Sequence, residues 1–184
     1  MRRISGLVLA ASLVLPVSLA NAAEVTQLYT NNQFANAIST DPVTGATTGI
    51  FVTREKGKGA PRDSIFIIVS GPDGFALISG ALPKNAFKAN AQSASLDVDV
   101  AEIIPDAEFN FPTDGVVSVH WQATDITRES GNTKQVFGNT TVLFVGTSTN
   151  SPANISATMF GNELPGVTGD LSRAHDSVII RVSQ

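Results

Sequence analysis

The chain contains no cysteine in 184 residues. That removes disulfide bonds, a thiolate nucleophile and every cysteine-ligated zinc site from consideration. Histidine is nearly as scarce: only His120 and His175 are present, far apart and without a partner at a familiar metal-ligand spacing. A single Trp and a single Tyr are few for stacking against sugar rings. No G-x-S-x-G nucleophile elbow occurs. Cations are outnumbered, with 12 Lys and Arg against 16 Asp and Glu and a formal net charge of −4. An acidic chain has no general attraction for nucleic acid, so no nucleic-acid partner is expected.

What is present begins with an export signal. Arg2 and Arg3 precede an apolar stretch from Ile4 to Leu15, which Pro16 breaks, and Ala20-Asn21-Ala22 places small residues where a signal peptidase reads. The expected cut follows Ala22, with Ala23 as the alternative. The apolar stretch falls short of the ~20 residues a spanning helix needs, so no membrane span is expected after cleavage. Lipid attachment at the cut would need a thiol that the chain lacks. Export without disulfides fits a bacterial periplasmic or secreted protein. Loss of Arg2 and Arg3 makes the remainder more acidic, and roughly 160 residues form one domain with a core of its own, residues 23–184.

The mature chain alternates in the manner of strands. Val116 to Asp125, V-V-S-V-H-W-Q-A-T-D, sets Val117, Val119, Trp121 and Ala123 on one face and Ser118, His120, Gln122 and Thr124 on the other. Trp121 is expected at the centre of the core and His120 on the opposite, polar face. Further strands are expected at Val25–Thr30, ended by Asn31-Asn32, and at Thr47–Arg54. Ser64–Ser70 is a near-continuous apolar run that reads as buried on both faces. The turn Gly71-Pro72-Asp73-Gly74 joins it to Phe75–Ser79 as a hairpin. Leu82–Phe87 suits one helical turn. Ser93–Ala101 alternates, and Glu102–Gly115 reads as a long acidic connection. Thr133–Phe137, Asn139–Thr147, Asn154–Phe160 and Ser177–Ser183 complete a set of about nine short strands, the spacing of an antiparallel β-sandwich or a small β-barrel. The ten Phe lie mostly in apolar runs and read as core.

The order of these pieces resembles a family of small exported bacterial β-rich domains of unassigned function. The residues that carry the resemblance are G-I-F-V-T-R at Gly49–Arg54, V-S-V-H-W at Val117–Trp121 and I-S-A-T-M-F-G at Ile155–Gly161. The resemblance implies export and a β-fold, and transfers no functional residue.

Few residues carry chemistry. Calcium needs only oxygen ligands, and Asp97, Asp99 and Glu102 are the expected set, the first two projecting from the same strand face; no other cofactor is expected. His120 is a candidate ligand-binding residue. The basic loop with Lys56, Lys58 and Arg62 is diluted by Glu55 and Asp63 and reads as a solvated connection. Three functional classes follow. The first is an exported, non-enzymatic β-sandwich that binds an unknown envelope or extracellular ligand, or belongs to the envelope or matrix. The second is a hydrolase or isomerase with its site near His120 and the acidic 102–115 loop. The third is a structural subunit assembling by strand addition. Acids converging on a hollow beside His120 would favour the enzyme; a flat polar face there would favour the other two.

Overall fold

The computed structural model describes residues 25–57, 62–72 and 74–182. The expected signal segment, and Lys58 in the basic loop, lie outside the described residues. Among the described residues twelve strands form: β1 (Val25–Thr40), β2 (Thr47–Lys56), β3 (Arg62–Gly71), β4 (Gly74–Ala81), β5 (Phe87–Ala89), β6 (Ser93–Asp99), β7 (Ile104–Phe109), β8 (Val116–Ala123), β9 (Thr127–Phe137), β10 (Thr140–Met159), β11 (Asn162–Glu163) and β12 (Asp170–Val182). One 3₁₀ turn covers Val100–Glu102.

All pairings are antiparallel, in one sheet of order β5-β6-β8-β10-β12-β1-β2-β3-β4-β7, with β9 and β11 added against β10. The path has two separate ends, β5 and β7, so the barrel alternative is corrected: the sheet is open. The long strand β10 makes this arrangement. Thr140–Pro152 pairs with β12, and Ala153–Met159 pairs with β8. The sheet therefore has a large part, β9-β10-β12-β1-β2-β3-β4-β7, and a small part, β5-β6-β8-β10-β11, sharing β10. Side chains of both parts belong to one buried cluster. Ala35, Ile50, Val52, Ile65, Ile67 and Ile78 come from the large part, and Phe87, Leu96, Val98, Val117, Val119 and Trp121 from the small.

Period-2 alternation explains which residues go inside. In β8, Val117, Val119 and Trp121 are buried while His120 is exposed, as the pattern requires. The hairpin forms with Ser70 opposite Phe75 and Ile67 opposite Ile78. Leu82–Phe87 is not helical: the Ala86 amide donates to the Pro83 carbonyl over 3.2 Å, and Asn85 takes a positive φ of 71°. Asn has a short polar side chain and tolerates that region.

β1, β9, β10 and β12 run further than their sequences announce, and β7 forms where a loop was expected. β1 continues through Asn31-Asn32, because those residues are paired on both sides, with His175 and Ala174 of β12 and with Lys56 and Glu55 of β2. Two ladders outweigh a local turn preference. β10 fuses two expected strands across Ser148–Ala153. The expected loop Glu102–Gly115 contains β7, which pairs with β4 through a bulge at Ser79/Gly80. Gly80 is needed there, since a Cβ would collide with the Ile104 carbonyl oxygen.

Candidate functional site

Of the residues singled out by sequence, His120, Asp97 and Asp99 lie on the outer face of the small part. His120 is paired with Ser95 of β6 and Ser156 of β10, and its outward neighbours are Asp97, Ser118, Thr158, Gln122 and Asn154. These outward residues make a polar face. Asp97 accepts a 2.9 Å hydrogen bond from the Ser118 hydroxyl. Asp99 caps the 3₁₀ turn, its carboxylate accepting from the Ala101 amide at 3.0 Å. Glu102 is exposed within the same turn. Asp99 is thus engaged locally, and among the described residues no three His, Asp or Glu side chains come together as a ligand set. His175 lies on β12 between Thr147 and Asn31, exposed and away from His120.

Between the two parts of the sheet runs a polar and aromatic tie that the sequence did not disclose. Arg54 of β2 grips Asp63 of β3 with two bonds, Nε to Oδ1 at 2.7 Å and Nη2 to Oδ2 at 2.6 Å. Its Nη2 also donates to the Phe87 carbonyl, and the guanidinium lies 5.3 Å from the centroid of the Phe87 ring. The bond to Asp63 raises the Arg54 pKa above its ordinary value, so the cation is permanent. Phe87 meets Trp121 edge-on at 6.4 Å, and Trp121 Nε1 donates to the Asn36 carbonyl at 2.7 Å. The chain Asp63–Arg54–Phe87–Trp121–Asn36 therefore runs from β3 and β2 across to β5 and β8 and back to β1. Bidentate geometry and partial burial make this ion pair stronger than a surface one. Its role is to hold the two parts together.

The hollows are modest. A cavity of about 20 Å³ is lined by Gln33, Phe87, Ser151 and Arg173, room for one water molecule. Gln33 Oε1 is buried without a hydrogen-bond partner in the protein. An open cleft of about 650 Å³ runs along the bend of β10, beside Ile38, Ile155, Val167 and Thr168. Neither contains a His or a carboxylate cluster.

The unusual surface is the outer face of the large part. Register places Phe34, Phe51, Phe66, Ile68, Leu77, Phe75 and Phe109 on the side opposite the buried Ala35, Ile50, Val52, Ile65 and Ile67. Phe66 is 38%, Phe75 49% and Phe109 48% exposed. Phe51 lies 6.4 Å from Phe34 and 5.9 Å from Phe66, and Phe75 stacks on Phe109 at 4.8 Å. Gly49 makes room for this: a Cβ there would meet the Phe51 ring at 2.8 Å. Two sequence expectations are corrected here. Ser64–Ser70 is buried on one face only, and of the ten Phe only Phe87, Phe111 and Phe160 belong with the core. An antiparallel sheet with one solvated face ordinarily alternates apolar inside with polar outside. The small part obeys that rule and the large part does not.

The same face continues onto an arm. Beyond Ala35, Ser151 and Leu171, no residue of β1, β9, β10 or β12 is buried as these strands run outward together. Leu28, Val178 and Phe144 are aligned across three strands on this face, next to Ile180 and Val142. β9 forms the edge, its eleven residues all exposed and paired only with β10. No protein-family model matches the chain, and neither does any curated protein.

Proposed function

We propose that the protein is an exported, non-enzymatic β-sandwich that works through a sheet face, as a binding or structural component of the bacterial envelope or matrix. In this reading the small part of the sheet folds over the large part as a second layer. The shared buried cluster and the Trp121–Asn36 bond support that. Export is supported by Arg2, Arg3, the apolar stretch and Ala20-Asn21-Ala22.

The observation that carries the reading is the contrast between the two outer faces. One is Ser, Asp, His, Gln, Asn and Thr; the other is a cluster of half-exposed Phe, Leu and Ile. Large exposed apolar patches on soluble proteins mark interaction surfaces. Fractionation of producing cells tests this. The parent protein is expected with envelope or matrix material, and Phe66→Ser/Phe75→Ser is expected in the soluble fraction. Identical soluble behaviour of both proteins contradicts the reading.

Strand addition is the second reading, and β9 favours it. A long, exposed edge offers unpaired backbone groups to another chain. Lys134→Pro removes one donor from that edge, and would abolish assembly by this route while leaving face-mediated association intact.

A further inference from the structure

We infer that the outer face of the large part is covered by a second copy of this chain, the two sheets stacking face to face about a twofold axis. The inference rests on the reading that this face is the working surface, and it names the occupant.

The first argument is charge. The centre of the face, from Phe51 and Phe66 to Leu77 and Phe75, holds no Asp, Glu, Lys or Arg; Glu55 and Arg62 lie opposite each other at its rim. The formal net charge of −4 opposes contact between copies wherever charges are displayed, as at Asp97, Asp106 and Glu108. The charge-free face is the surface where that repulsion is least. Depletion of charge with enrichment in aromatics is also the composition of interface centres.

The second argument is shape. Along β2 the Phe51 ring lies over Gly49, and along β3 Phe66 is followed by Ile68, so the face is a continuous apolar plane with no charged protrusion at its centre. An isologous contact needs only a self-complementary patch, and two sheets stacked in this way interdigitate about 10 Å apart.

The third argument is area. Five strands at about 4.8 Å spacing, each presenting about seven residues at about 3.4 Å, give a footprint near ~600 Å². The apolar part of the arm, three strands by about six residues, adds ~300 Å². The total of ~900 Å² matches the ~800 Å² per partner of a standard stable interface.

The test is sedimentation equilibrium of the full mature chain at micromolar concentrations. A species of twice the chain mass is expected. Phe66→Asp places a charge at the centre of the contact and is expected to raise the dissociation constant by at least about 100-fold, as loss of a central anchor does. Phe75→Asp should act in the same direction, and circular dichroism should show both variants folded. His120→Asp, on the polar outer face of the small part, should leave the dimer unchanged. Dimerisation lost in Lys134→Pro but kept in Phe66→Asp overturns the inference in favour of edge pairing. A parent that is monomeric yet retained by the envelope through Phe66 and Phe75 also overturns it, while leaving the proposed function standing. A monomer that is not retained ends both.

Discussion

Trp121 and His120 are neighbours with opposite environments. Trp121 is fully buried, in edge contact with Phe87 and bonded to the Asn36 carbonyl, whereas His120 is exposed among Ser and Asn. Trp121→Ala should therefore cost about 3–5 kcal/mol, the range for truncating a buried aromatic. His120→Ala should stay within about 0.5 kcal/mol of the parent. Denaturant midpoints measure both, and a blue-shifted native emission that reddens on unfolding is expected for Trp121. The carboxylates make a separate prediction. Asp97 is bonded to Ser118 and Asp99 caps a turn, so millimolar calcium should leave the melting temperature unmoved; a rise with calcium concentration would reveal a native-state site. Asp41 accepts from the Val43 and Thr44 amides, at 2.7 and 3.1 Å, which holds its pKa below the ordinary 3.8. A carboxylate held low favours the fold above its unfolded pKa and loses that contribution as pH falls through the folded one. Amide exchange at Val43 and Thr44, corrected for intrinsic rates, should accelerate only in that acid window, and Asp41→Ala should abolish the dependence.

At the scale of elements, alternation was legible and continuity was not. V-V-S-V-H-W-Q-A shows one face in and one face out, and the strand follows it. Asn31-Asn32 looks like a stop and the stretch after Thr147 like a break between two strands, yet β1 and β10 run through them. The reason is non-local: Asn32 pairs with Ala174, more than 100 residues away in sequence, and Pro152 pairs with Asp170 of another strand, partners that no local window contains. The hairpin at Pro72 was legible because its turn chemistry is local. β7 was hidden in an acidic, Pro-containing stretch, and its attachment depends on Gly80. Gly80→Ala forces a Cβ against the backbone of Ile104 and Pro105, and should cost about 1–3 kcal/mol, as overpacking does. Amide exchange should show β7 opening first. Unchanged protection along Ile104–Phe109 would contradict the register given for the bulge.

For the whole molecule, the run S-I-F-I-I-V-S carries the lesson. A continuous apolar strand has two explanations: both faces are covered within one chain, or one face is covered by a partner. Composition cannot separate them. Within the single chain Ile65 and Ile67 are buried while Phe66 is 38% exposed, and stacking of two copies would bury the second face. The candidate site was illegible for the same reason. Phe34, Phe51 and Phe66 belong to different strands, and only the register aligns their strands into one surface. The expectation of export rests on a local pattern, Arg2-Arg3, the apolar stretch and Ala20-Asn21-Ala22. N-terminal sequencing of the mature protein should begin at Ala23 or Glu24.

The most direct measurement uses two adjacent residues of β3 that point opposite ways. Ile67 is fully buried and Phe66 is on the outer face. Unfolding at dilution, where the chain is monomeric, and sedimentation at higher concentration should be recorded for Ile67→Ala and Phe66→Ser. Ile67→Ala should lose about 2–5 kcal/mol of fold stability, with association intact among the molecules that remain folded. Phe66→Ser should lose about 1 kcal/mol at most from the monomer and should lose association. A Phe66→Ser protein that unfolds like Ile67→Ala, or that associates like the parent, would contradict the assignment of this face as the surface on which two copies meet.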